Sequence, residues 1–160
     1  MLPKLIAWLF LIVPWITLLG LRKKSLKRFM PVGILASFIM AVYNVIASHQ
    51  KHWIIKVNII PLLKPLFVPG VFGMFLVVTI WVFHLTYSRF WLYLAANIGI
   101  DFMFAVFPVH YLLQDVVGIY ELVNITTWQR MLLFVGFSII LYGFQRWLDE
   151  VLIENAEHHA

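Results

Sequence analysis

Long apolar runs alternate with short polar breaks along nearly the whole chain. The runs cover about Leu5–Leu21, Phe29–Ala47, Leu66–Tyr87, Phe90–Leu113 and Thr127–Trp147. Crossing the hydrocarbon core of a bilayer takes an α-helix of about 20 predominantly apolar residues, so each run predicts a membrane-spanning helix. The expected fold is all-α: a polytopic transmembrane helical bundle of five spans, with residues 1–160 forming a single integral membrane domain. Four or six spans are the alternatives, depending on how the weaker segments are read.

Details within the runs refine this picture. Pro14 falls mid-span and removes a backbone donor there, whereas Pro31 and Pro69 sit near helix starts, where proline is tolerated. Gly33, Ala36 and Ser37 are small enough to let a neighbouring helix approach closely. Only Ser88 and Arg89 separate the third and fourth runs, which makes those helices antiparallel neighbours. Residues 48–65 are apolar in short pieces broken by Lys56, Asn58, Pro61 and Lys64. With Trp53 flanked by lysines, this segment reads as an element lying in the membrane interface, its apolar side in lipid. Residues 148–160 form a polar, acidic tail.

Composition strengthens the class. The chain is 63% hydrophobic and only 12% charged, against about 25% charged in a soluble domain. Its net charge of +5 does not point to nucleic acid, because five cations cluster in one short break: Arg22, Lys23, Lys24, Lys27 and Arg28. A loop this basic stays on the cytoplasmic side and meets anionic lipid headgroups. The N-terminus is then outside and the C-terminus cytoplasmic. On this topology seven Lys and Arg residues lie inside (the five in the first loop, Arg89 and Arg146) and five outside (Lys4, Lys51, Lys56, Lys64 and Arg130). Cysteine is absent, so disulfides and thiolate metal sites are excluded. The expected location is the cytoplasmic membrane of a bacterium.

One residue stands against its surroundings. Asp101 lies near the middle of the fourth run, with Asn97 one turn earlier on the same face. A carboxylic acid at that depth is expensive unless neutral, paired or hydrated, and so marks a candidate site. At about 1.5 Å per residue it stands roughly 16–18 Å from the inner end of its helix, and Ser37, Thr79 and Ser138 fall at roughly 12–15 Å on the same ruler. These five residues form the expected intramembrane polar site. No Lys or Arg is expected at this depth, which favours the neutral acid. In a structural reading, Asp101 donates to Asn97 or a hydroxyl and locks the bundle; in a functional one, it loads and releases a proton or a small cation.

A second group lies on the outer side. His49 and His52 share a helix face if the second helix continues, and His110 and Asp115 fall on the same side, a set able to offer nitrogen and oxygen ligands to a divalent metal. The terminal His158-His159 pair is a weaker version of the same chemistry. No HExxH, GxSxG, P-loop, GxGxxG or CxxC motif occurs. The chain therefore reads as a non-enzyme without a cofactor: an accessory, sensor or structural membrane component acting through protein partners or as a homo-oligomer. The alternative is a small transporter or channel subunit that binds a proton or cation at the Asp101 layer.

Overall fold

The computed structural model describes residues 2–158, with side chains described through Leu152; the His158-His159 pair lies outside the described side chains. Five helices among the described residues are long and apolar enough to cross a membrane: Leu2–Gly20, Lys23–His49, Pro69–Thr86, Phe90–Val116 and Thr127–Leu152. In detail, α1 (Leu2–Thr17) ends in a 3-10 turn over Leu18–Gly20 and is followed by α2 (Lys23–His49). A π-helical stretch, Pro69–Phe75, runs directly into α3 (Leu76–Thr86). After the Ser88-Arg89 turn come α4 (Phe90–Ala105), α5 (Val109–Tyr111) with a π-helical turn over Leu112–Val116, and finally α6 (Thr127–His158).

The spans differ in how much bundle they touch. Half of the α3 span is buried, against 17% for the spans of α1 and α4, which makes α3 the central helix. α1 is peripheral, burying only Ala7 and Pro14 while exposing Leu5, Trp8, Leu9, Ile12 and Ile16. Such a face suits acyl chains, which are as apolar as leucine. Close approach is made where side chains vanish. A Cβ at Gly33 would stand 2.8 Å from the Ile80 side chain of α3, and one at Gly73 would overlap the Phe10 carbonyl of α1. Gly33, Ala36 and Ser37 are all buried, as close helix packing requires.

The π-helical stretch is held from both sides. Ser37 donates to the Val71 carbonyl at 2.9 Å, and the Trp15 indole N–H donates to the Phe72 carbonyl at 2.8 Å. Neighbouring helices thus satisfy carbonyls of the wide turn, as buried backbone groups demand.

Two expectations need correction. The fourth span is not one uninterrupted helix from Phe90 to Leu113: it breaks after Ala105 and resumes at Val109. Pro108 has no N–H to return to the Phe104 carbonyl, so the regular ladder stops there. Within residues 48–65, Trp53 is also not turned outward as expected of a residue in lipid. β1 (Trp53–Ile55) pairs antiparallel with β2 (Tyr120–Leu122), Trp53 opposite Leu122 and Ile55 opposite Tyr120. This two-stranded cap turns Trp53 inward, where it packs edge-on against Tyr43 at 5.3 Å and is 8% exposed. On the outer surface of the cap, Lys56 pairs with Glu121 at 2.7 Å, both side chains about half exposed.

The opposite end of the bundle, where the Leu21-Arg22 and Ser88-Arg89 connections lie, is tied by side chains; Lys23 to Arg28, expected in a loop, instead form the first turns of α2. Asp149 of α6 accepts from Arg28 of α2 at 2.8 Å, from the Tyr87 hydroxyl at 2.6 Å and from Gln145 at 3.0 Å. Below these bonds Phe83, Tyr93 and Tyr142 pack ring to ring, with centroids 4.8 Å apart for Phe83–Tyr93 and 5.0 Å for Tyr93–Tyr142.

Candidate functional site

Between this tied end and the strand cap lies a cavity of about 130 Å³. Every major element reaches it: Phe10 of α1, Met40 and Asn44 of α2, Trp53 and Tyr120 of the cap, Met74 to Thr79 of the π stretch and α3, Asn97 to Phe104 of α4, and Arg130 to Leu141 of α6. Its walls are mostly apolar and aromatic, with a few polar groups converging, the usual make-up of a small-molecule site.

Helical spacing places the polar groups. On α4 the residues Tyr93, Asn97, Asp101 and Ala105 follow one another every four positions, and all but Asn97 are buried. On α6 the same face carries Arg130, Phe134, Ser138, Leu141 and Gln145, all buried. Where these two stripes meet the π end of α3, Asp101, Asn97, Thr79 and Ser138 line a single cavity. Four of the five residues of the expected polar site are therefore brought together. Ser37 is not among them: it is buried at a similar depth, but its hydroxyl is turned to the Val71 carbonyl instead. Depth along a helix axis sets height only, and the rotation of α2 points Ser37 elsewhere.

The hydrogen bonds of this group have a common direction. Asn97 donates to the Tyr93 carbonyl at 2.9 Å, Thr79 to the Phe75 carbonyl at 2.7 Å and Ser138 to the Val135 carbonyl at 2.7 Å. Each side chain thus donates back to its own helix, a habit of hydroxyl and amide side chains in apolar surroundings, and Asn97 keeps a second amide N–H. Asp101 is 7% exposed, and its Oδ2 has no hydrogen-bond partner among the described residues. The expected bond from Asp101 to Asn97 or to a hydroxyl is not formed.

The larger surprise is Arg130. Counted with the outer-loop charges from sequence, it is instead 5% exposed and lines the same cavity as Asp101. Its Nη2 donates to the Phe104 and Ala105 carbonyls at 3.1 and 2.7 Å, and its Nη1 to the Tyr120 hydroxyl at 3.0 Å. Those carbonyls are the ones freed where α4 stops. A cation there also meets the negative end of the helix dipole. Arg130 is thus the cap of a broken helix. Its Nε is left buried and without a partner. The expectation that no cation shares this part of the bundle is accordingly corrected, although no oxygen of Asp101 comes within ion-pairing distance of the guanidinium among the described residues.

His110 and Tyr120 complete the Arg130 cluster. His110 Nδ1 lies 2.8 Å from the Tyr120 hydroxyl and 3.0 Å from Arg130 Nη2. A guanidinium can only donate, so Nδ1 is an acceptor and the ring proton sits on Nε2. Burial pushes the Tyr120 hydroxyl above the usual phenol range, with Arg130 opposing that shift. The proposed metal ligands do not converge. His110 is used in this cluster, His52 Nδ1 faces the Tyr43 hydroxyl at 3.0 Å, and no group of three His, Asp or Glu side chains is arranged to hold a metal among the described residues. His49 and Asp115 stand apart from any such set. Arg22, Lys23, Lys24 and Lys27 cluster at the tied end of the bundle, while Arg28 is engaged with Asp149.

Arg130, Tyr120 and Trp53 are the site residues that sequence reasoning missed. Arg130 was detectable, because it stands at helical spacing from Phe134, Ser138, Leu141 and Gln145. Trp53 and Tyr120 were not, since a pairing of three-residue strands 67 positions apart leaves no local mark. No protein-family model, curated protein or solved structure matches this chain.

Proposed function

We propose that this is a small multi-pass protein of a bacterial cytoplasmic membrane that works, without catalysing a reaction, as a ligand-sensing accessory to partner proteins. The observation that carries the reading is the cavity into which two buried and incompletely bonded side chains, the acid Asp101 and the base Arg130, are brought from separate helices. A purely structural acid would be expected to close its hydrogen bonds within the bundle, since an unsatisfied buried polar group costs about 1–3 kcal/mol. Retaining such a group beside a cavity fits a site completed by something that binds. Small loops, the absence of catalytic motifs and the lack of a converging acid-base pair support a binding role over an enzymatic one.

The test is occupancy. Val78 lines the cavity, and Val78→Phe should fill it. Native mass spectrometry of protein released from mild detergent is expected to show a small-molecule adduct on the wild-type chain and none on the filled variant. Identical spectra for the two would overturn the cavity as a ligand site.

A second reading keeps the same site but moves its ligand across the membrane. It is favoured by the two irregular segments that flank the cavity, the π-helical stretch at Pro69–Phe75 and the break between Ala105 and Val109, since discontinuous helices are characteristic of transporter binding sites. In reconstituted vesicles, Asp101→Asn should then abolish cation- or proton-dependent uptake with normal protein yield. Unchanged flux in the variant would leave the sensing role.

The proposed orientation, N-terminus outside and C-terminus cytoplasmic, rests on the cationic stretch Arg22 to Arg28, at the start of α2, meeting anionic lipid. The chain has no native cysteine, so single replacements report cleanly. Val123→Cys in the strand cap is expected to react with an impermeant maleimide on intact cells, and Ser25→Cys only after permeabilisation. The reverse pattern would invert the topology.

A further inference from the structure

The polar wall around Asp101 is rich in acceptors. Asn97, Thr79 and Ser138 each donate once to a backbone carbonyl of their own helix, which takes both hydroxyl protons and one of the two Asn97 amide protons. What these side chains can still offer to the cavity is the amide oxygen and second N–H of Asn97 and the lone pairs of two hydroxyls. Asp101 adds a carboxyl group that is 7% exposed, with Oδ2 unpartnered. Of the two further unpartnered atoms among the described residues, Gln145 Oε1 lies outside the cavity lining, and Arg130 Nε belongs to a guanidinium whose remaining nitrogens already meet two carbonyls, a hydroxyl and an imidazole. Unmet demand at the cavity therefore concentrates at Asp101, which as a carboxylate takes a donor.

We propose that the cavity binds a small apolar amine, its ammonium group on Asp101 with Asn97, Thr79 and Ser138 around it, and its apolar body against the Phe75, Phe104 and Phe134 side of the wall. An ammonium brings three donors, no acceptor and one positive charge, which matches a patch rich in acceptors that holds one acid. It also supplies the pairing that a carboxylate in apolar surroundings requires, and aromatic walls attract cations further. A bare Ca²⁺ or Mg²⁺ fits less well: these hard divalent ions take six or more oxygens, and these walls are mainly carbon. The cavity volume of about 130 Å³ sets the size, because an engineered protein cavity of about 150 Å³ holds a benzene molecule. One ring, or a short branched chain, with a single amine is the matching ligand.

This inference rests on the cavity being a ligand site, and isosteric probes separate the two claims. The full chain in lipid nanodiscs would be titrated with 4-fluorobenzylamine, 4-fluorotoluene and 4-fluorobenzoate, following ¹⁹F line broadening above that of protein-free nanodiscs. The amine is expected to bind tightest, and Asp101→Asn should weaken it about 10- to 100-fold, the range for loss of a charged hydrogen bond, while 4-fluorotoluene binding stays unchanged and shows that the variant is folded. Equal binding of amine and toluene, tightest binding by the benzoate, or an amine affinity indifferent to Asp101→Asn would each overturn the amine while leaving an occupied cavity. If none of the three broadens, the ligand site itself is overturned.

Discussion

Arg130→Met should lower the stability of the bundle by about 2–5 kcal/mol, because two helix-terminal carbonyls lose their donor and each such buried group costs about 1–3 kcal/mol. The Phe104 and Ala105 carbonyls have Arg130 Nη2 as their shared partner, and the Tyr120 hydroxyl loses Nη1 at the same time. Met keeps the length and apolar bulk of the arginine stem, so the loss reports the hydrogen bonds and not a void. Arg130→Lys should recover less than half of it, since a single ammonium cannot span two carbonyls and a phenol as a planar fork does. Thermal unfolding in detergent, followed by near-ultraviolet circular dichroism, measures the difference. A variant as stable as wild type would mean that α4 does not depend on this cap.

Glycine-to-alanine changes should separate into three classes, and Gly73→Ala should be the worst. Its new Cβ meets backbone, the Phe10 carbonyl and the Leu11 Cα at 2.9 Å, so helix α1 itself must move, at a cost of about 1–3 kcal/mol or more. At Gly33 the nearest atoms, at 2.8 and 3.0 Å, are the branches of the Ile80 side chain. A rotamer change relieves part of that clash, and a loss of about 1 kcal/mol is expected. Nothing lies within 4 Å of Gly136 or Gly143 in α6, where alanine should raise helix stability by about 0.5–1 kcal/mol. Unfolding midpoints ranked in any other order would contradict the packing of α1 on the π-helical stretch.

How much of this could be read from the chain follows from what each signal measures. Hydropathy reports long apolar runs, so the five helices were legible to within a few residues at most ends. Spacing reports faces, which is why Asn97 and Asp101 were correctly placed on one side of α4. Depth reports neither rotation nor neighbour: Ser37 was matched by height and turned out to face Val71. Arg130 was assigned to a loop because a cation near the end of an apolar run ordinarily reaches water. Only the break at Pro108 creates the carbonyls that hold it inside, and proline in an apolar run does not announce which side chain will answer it. The strand pair was hidden for a different reason. Trp53–Ile55 and Tyr120–Leu122 are too short to show alternation, and each is a strand only because the other is there.

The clasp of Arg28, Tyr87 and Gln145 on Asp149 bears on motion. Three helices are pinned at that end, with the rings of Phe83, Tyr93 and Tyr142 packed below the clasp. The far end has two three-residue strands, a broken helix and a wide-turned one. A guest that entered past the strands would meet Trp53, which lines the cavity beneath the cap, so that this tryptophan is the one expected to report its arrival.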